Sequence, residues 1–205
     1  MQDSKLLPSR PKLIAAFAMI ILAVVIAALG LTTLKPASVG SGVALIGGPF
    51  TMLNQKGEVV TEKTFQGQYT LIFSGFTNCG DICPAELQVM TEAFNQLGPL
   101  ADKITPIFVS IDPERDTPQV MADYVKNFHP RLQGLTGSPE QVAGFAKTYH
   151  IFYQKVPNPK DPKDYEMDHS SILYLMGPDG KFVTHFTYTT DPKALAEGLK
   201  KALQS

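Results

Sequence analysis

"FSGFTNCGDICPAEL", Phe73 to Leu87, holds Cys79 and Cys83, the only two cysteines in the chain. Before it runs "YTLIFSGF", Tyr69 to Phe76, a continuous apolar stretch of the kind found in a strand buried on both faces. After it, Leu87, Met90, Phe94 and Leu97 recur at three- and four-residue steps, so one face of a helix is apolar. Pro84 suits the first helical position, where its missing N–H would have no partner. That reading makes Cys83 the N-cap and leaves Cys79 in the preceding loop. Free N–H groups and the positive end of the helix dipole there favour thiolate, the form that reacts and binds metals.

The elements on either side extend the pattern. "PFTMLNQKGEVV" reads as a small hairpin turning around Asn54–Gly57. "ITPIFVSID" is a second buried strand. "TPQVMADYVKNF" and "SPEQVAGFAKTY" are helices, each opened by a Ser/Thr cap followed by proline. Next come "IFYQKV", a long Pro- and Asp-rich loop, the strand "SILYLM", the turn "GPDG", the strand "KFVTHFTY" and the closing helix "DPKALAEGLKKALQ". Strands alternating with helices imply a partly parallel sheet covered on both faces. This order, with cysteines between the first buried strand and its helix, resembles the thioredoxin fold.

Composition narrows the function. The formal net charge is −1 with histidines neutral and no basic block stands out, which argues against a nucleic-acid partner. An apolar content of 44% supports a core without disulfide staples. From Leu13 to Leu34 the chain carries no charged residue. As a helix rising ~1.5 Å per residue, that span would cross a hydrocarbon core of ~30 Å. A cleavable signal peptide needs a shorter apolar centre, and "ALG" at Ala28–Gly30 is a weak cleavage site. An uncleaved anchor is the favoured reading. Lys5, Arg10 and Lys12 precede it and belong in the cytoplasm by the positive-inside rule. The expected organisation is a cytoplasmic tail over 1–12, an anchor over 13–34, a Pro/Gly/Ser tether over 35–47 and a folded domain over 48–205. The site expected is a bacterial inner membrane crossed once, with the C-terminal domain in the periplasm. That compartment is oxidising, so Cys79 and Cys83 can form a redox-active disulfide there.

Three chemistries compete for the pair. A structural disulfide would close only a tiny loop and gain little. A dithiol redox couple is credible, although thioredoxin-like enzymes use two intervening residues rather than three. A metal clamp is the third, because the extra residue lets both sulfurs face one ion. Soft thiolates select Cu(I) or Zn²⁺, and structural zinc wants four protein ligands. Two thiolates and an imidazole suit copper. Among the four histidines, His129 and His150 read as helix-end residues and His185 as the polar face of a strand. His169, in "YEMDHSSILYLMGPDG", stands where a loop enters a strand, at a position that approaches the cysteines in thioredoxin-like folds. It is the candidate third ligand, with Asp168 beside it.

Three blocks together resemble the Sco/SenC copper-chaperone family. They are "GGPFTMLNQKGEVVTEKTFQGQYTLIFSGFTNCGDICP", "VSIDPERDTP" (Val109–Pro118) and the histidine block just quoted. The resemblance implies a membrane-tethered thioredoxin fold that binds one copper ion, as Cu(I) or Cu(II), through Cys79, Cys83 and His169. It also implies a role in assembling the CuA centre of cytochrome c oxidase, with the oxidase's copper-bearing subunit as partner. Another periplasmic copper chaperone or a thiol reductant would be a further partner. Gly80 departs from the proline usual after the first cysteine, which loosens that loop. Asp112 is a candidate carboxylate supporting the site or recognising a partner, while Asp116 reads as a helix-start residue. The primary expectation is a binding protein rather than an enzyme. The rival is a thiol-disulfide oxidoreductase that keeps a partner's copper-site cysteines reduced.

Overall fold

The structure, a computed structural model, describes Met19 and residues 46–204. The chain parts into two units, Met1–Ala44 and Leu45–Ser205. Met19 apart, the expected cytoplasmic tail and anchor lie outside the described residues, as does the tether up to residue 45. Among the described residues, no helix is long and apolar enough to cross a membrane.

The second unit is built on a seven-stranded sheet. Its strands are β1 (Thr51–Asn54), β2 (Val59–Thr61), β3 (Tyr69–Gly75), β4 (Ile104–Ser110), β5 (Gln133–Thr136), β8 (Ile172–Met176) and β9 (Phe182–Thr187), in spatial order β2-β1-β5-β4-β3-β8-β9. The apolar runs expected to be buried on both faces take the centre. β3 pairs parallel with β4 and antiparallel with β8, and every residue of β4 is buried. Phe73 faces Phe108 in register, and their rings stack with centroids 6.0 Å apart. β4 pairs parallel with β5, a short strand with glycine at its centre that hydropathy did not announce. Gly134 marks a close approach there, since a Cβ would lie 3.0 Å from Val125 Cγ1 on the helix packed over it.

Four helices cover this sheet: α1 (Ile82–Leu97), α2 (Pro118–Val125), α3 (Pro139–Thr148) and α4 (Pro192–Ala202). The last three start as their sequences predict. Thr117, Ser138 and Asp191 accept N–H groups of the first turn through their side chains, and proline follows each. α1 starts differently. Asp81 is its cap, so Ile82, Cys83 and Pro84 are its first three residues. Pro84 is tolerated at the third position for the same reason as at the first, since that N–H has no intrahelical acceptor. Cys83 is therefore inside the helix, not its cap as the sequence suggested.

The expected Pro- and Asp-rich loop is also different. It folds as a separate two-stranded antiparallel sheet, β6 (Tyr153–Asn158) with β7 (Asp161–His169). A two-stranded ribbon has only edge strands, where proline removes no ladder bond, so Pro157 and its irregular register are accommodated. Along β7, Tyr165, Met167 and His169 alternate with the exposed Glu166 and Asp168. That alternation aims the histidine inward.

One core residue carries a testable cost. Glu86, on the buried face of α1, is 3% exposed, and its Oε1 has no hydrogen-bond partner among the described residues. Burial pushes its carboxyl from the ordinary 4.5 up to about 7. The folded state then binds the proton more tightly than the unfolded chain. The penalty is absent below the unfolded value, grows as pH rises from about 4.5 to 7, and is constant above. Glu86→Gln should raise stability by up to about 3 kcal/mol at pH 8 in denaturant melts and give no gain at pH 4. An equal effect at both pH values would locate the cost in packing rather than charge.

Candidate metal centre

The cysteine loop begins where β3 ends. Cys79 donates its N–H to the Phe76 carbonyl (3.3 Å), and its sulfur accepts the Cys83 N–H at 3.4 Å. Both thiols are free; Cys79 is half-buried and Cys83 fully buried. Room for the Cys83 sulfur comes from Gly75, where a Cβ would sit 2.7 Å from Sγ and 2.9 Å from Phe108 Cε2. From the other side, β7 ends by bringing His169 Nε2 to 3.8 Å from Cys83 Sγ. The other ring nitrogen is 3.1 Å from the Ser170 carbonyl, which can only accept, so Nδ1 carries the proton. That leaves the Nε2 lone pair aimed at the sulfur, as a metal-binding imidazole requires. Burial lowers the His169 pKa, opposed by the Ser170 carbonyl and Asp168, and the ring is neutral at neutral pH.

The thiol itself is not activated as its helix-end location suggested. Burial drives the Cys83 pKa far up, and a backbone hydrogen bond at Phe76 does not offset it. Among the described residues, no three His, Cys, Asp or Glu side chains are already gathered as a metal cage. The donors are instead neighbours in series, Cys79 beside Cys83 and Cys83 beside His169. Gathering all three on one ion takes a local shift of the loop, and the Cys79 sulfur can keep the Cys83 N–H meanwhile, because a metal-bound thiolate still accepts hydrogen bonds. Gly80, exposed with nothing within 4 Å of where a Cβ would be, gives the loop that freedom.

Two carboxylates hold the surroundings. Asp116 is fully buried and is not the helix cap, since Thr117 takes that role. It accepts from the Thr77 N–H (3.1 Å), from the Thr77 hydroxyl and from the Ser110 hydroxyl (2.6 Å). Burial raises its pKa in spite of these donors. Asp112, also fully buried, receives the Tyr165 hydroxyl at 2.7 Å and pairs with the Arg115 guanidinium. Neither Arg115 nor Tyr165 was singled out by the sequence. The inward period of Tyr165, Met167 and His169 was the available signal, hidden by the Pro/Asp composition upstream.

The remaining histidines sit apart from these sulfurs in their contacts. His129 packs on Phe94 (5.2 Å) and accepts the Arg131 N–H, His150 is exposed beyond α3, and His185 is exposed on β9 beside Phe182.

A buried cysteine in the first turn of α1, a second in the loop before it and a histidine facing the first define a thioredoxin-like protein with a dithiol–imidazole site. The SCO1/SenC family model matches residues 39–204, and the chain belongs to that family. A human relative, "Protein SCO1 homolog, mitochondrial", is 46% identical over 148 residues, covering 71% of this chain and 48% of its own. The chain spans about half the length of the curated relatives from Arabidopsis thaliana, mouse and human, covering 49%, 58% and 48% of them. The solved structure of Bradyrhizobium japonicum ScoI "with copper bound" is 44% identical, with a TM-score of 0.71 over 77% of this chain and 99% of that one. BsSco, described as a Sco-family member with "a disulfide switch", is 28% identical with a TM-score of 0.61 over 78% and 94%.

Gly75→Ala tests how closely Cys83 is packed. The added methyl should cost about 1–3 kcal/mol by overpacking and push the sulfur outward, so a thiol reagent should reach Cys83 faster. Unchanged stability with an unchanged labelling rate would contradict the contact.

Proposed function

We propose that this protein is a membrane-tethered copper metallochaperone that passes its ion by ligand exchange during assembly of the CuA site of cytochrome c oxidase. The observation that carries the reading is the neutral His169 imidazole, its Nε2 lone pair 3.8 Å from the Cys83 sulfur and Cys79 alongside. Copper is cargo here, held by Cys79, Cys83 and His169. Two thiolates satisfy Cu(I), and the added nitrogen suits Cu(II), so one site accepts both states. The oxidase subunit that bears copper is the proposed acceptor, and another periplasmic copper chaperone the proposed donor. The copper-bound relative supports the metal. The charge-free span over 13–34 and the basic residues before it support a single-pass inner-membrane anchor with the domain in the periplasm. Asp112 supports the site through Arg115 and Tyr165 rather than by touching the ion.

A second reading has its own support. Two free cysteines, one donating its N–H to the other's sulfur, suit a reversible disulfide, and the relative BsSco is described as carrying a disulfide switch. In that role the protein would reduce the copper-site cysteines of its partner. The two readings share the thiols and divide on the histidine.

The full-length reduced protein in detergent should take up one copper ion, and the form with a Cys79–Cys83 disulfide none, because disulfide sulfur has no thiolate charge to donate. His169→Ala should weaken Cu(II) binding by about 100-fold or more, beyond the usual cost of losing a mere supporting residue. Cu(I) loading and disulfide formation should survive. In cells short of copper, that variant should fail in oxidase assembly. Normal assembly in the His169→Ala strain, with failure in Cys79→Ser, would make the protein a thiol reductase instead.

A further inference from the structure

Resting on the copper reading, we infer that Tyr165 and Arg115 form a latch that sets the distance between His169 and the cysteines. The β6–β7 ribbon carrying His169 is not part of the main sheet. Something must therefore fix its inner face against the cysteine loop. Tyr165 lies four residues before His169 on the same face of β7, so placing one places the other.

Tyr165 is held at three points. Its hydroxyl donates to Asp112 Oδ1 (2.7 Å), its carbonyl accepts from Arg115 Nη1 (2.9 Å), and its ring lies 3.9 Å beneath the Arg115 guanidinium carbon. Arg115 in turn donates through Nε to Asp112 Oδ2. The same guanidinium stands 5.8 Å from the centre of the Phe76 ring, and Phe76 meets the His169 ring edge-to-face with centroids 6.0 Å apart. Phe76 also supplies the carbonyl that binds the Cys79 N–H. Arg115 thus meets one aromatic ring from the cysteine loop and one from the histidine ribbon.

The base of the latch is shared as well. The Asp112 N–H donates to Ser110 Oγ, and Ser110 donates to Asp116, which holds Thr77 of the cysteine loop. One short segment, Ser110 to Asp116, therefore fastens both halves of the site. A planar guanidinium can bind a carboxylate, a carbonyl and two ring faces together, whereas an ammonium cannot. Lys155 also covers the Tyr165 ring at 4.4 Å, but its salt bridge is to the exposed Glu114, outside the line from Asp112 to His169.

The test uses full-length protein with Tyr165→Phe, Arg115→Lys and, as control, Glu166→Gln on the outward face of β7. Two readings are taken: amide hydrogen exchange across β6 and β7 in the metal-free reduced protein, and Cu(II) affinity with its sulfur-to-copper absorption band. Tyr165→Phe and Arg115→Lys should speed exchange in the ribbon about 10-fold without speeding it in β3 and β4. They should weaken Cu(II) binding about 10-fold, the cost typical of losing a group that orients a ligand, and leave Cu(I) stoichiometry intact. Glu166→Gln should change neither. Exchange in the ribbon that is unchanged in both variants overturns the latch, whatever happens to copper. Exchange that speeds equally throughout the sheet also overturns it, because the pair would then be merely structural. If wild-type protein takes up no copper yet the ribbon loosens selectively, the latch stands and the metallochaperone reading falls.

Discussion

A buried carboxylate organises this molecule. Asp116 receives three hydrogen bonds, two from Thr77 just past the end of β3 and one from Ser110 at the end of β4, while its own carbonyl accepts the Thr136 hydroxyl of β5. The carboxyl ends of three parallel neighbours are thereby tied to one residue. Removing it would leave several donors without an acceptor in a site closed to water, a cost far larger than that of any one bond. The cysteine loop grows directly from Thr77, so the position of Cys79 and Cys83 depends on this knot.

The site that results is held in readiness without being activated. Burial keeps the Cys83 thiol protonated and the His169 ring neutral, because it disfavours the charged form of each. A metal ion changes that balance by supplying the positive charge the thiolates lack, so binding and proton release are coupled. The Cys79 sulfur accepts the Cys83 N–H, and Gly80 leaves its loop room to adjust around an ion. Such an arrangement suits the proposed delivery of copper, since a rigid, fully formed cage would hold an ion too firmly to surrender it.

Much of this was legible in the chain. The apolar runs of β3 and β4 take the centre of the sheet as read, and Thr117-Pro118, Ser138-Pro139 and Asp191-Pro192 each start a helix. Cys79, Cys83 and His169 were singled out by donor type and by family resemblance, and the structure brings Cys79 beside Cys83 and Cys83 beside His169. What stayed hidden depended on tertiary context. β5 has too few apolar residues to announce itself and is a strand because β4 and β1 pair with it. The start of α1 moved because Asp81, not Cys83, is its cap, and the burial that raises the Cys83 thiol instead of activating it appears only once the sheet and α1 are packed. Asp116 looked like a cap because its burial can be seen only once β3, β4 and β5 are assembled. Arg115 and Tyr165 are fifty residues apart and meet only in three dimensions.

The account stands on the claim that Cys79, Cys83 and His169 converge on one ion although they rest as a series. X-ray absorption at the copper edge of the full-length, Cu(II)-loaded protein measures that convergence directly. The account predicts a first shell with two sulfurs and at least one imidazole nitrogen, the nitrogen signal disappearing in His169→Ala while both sulfurs remain. A shell with a single sulfur, or one whose imidazole scattering persists without His169, would contradict it.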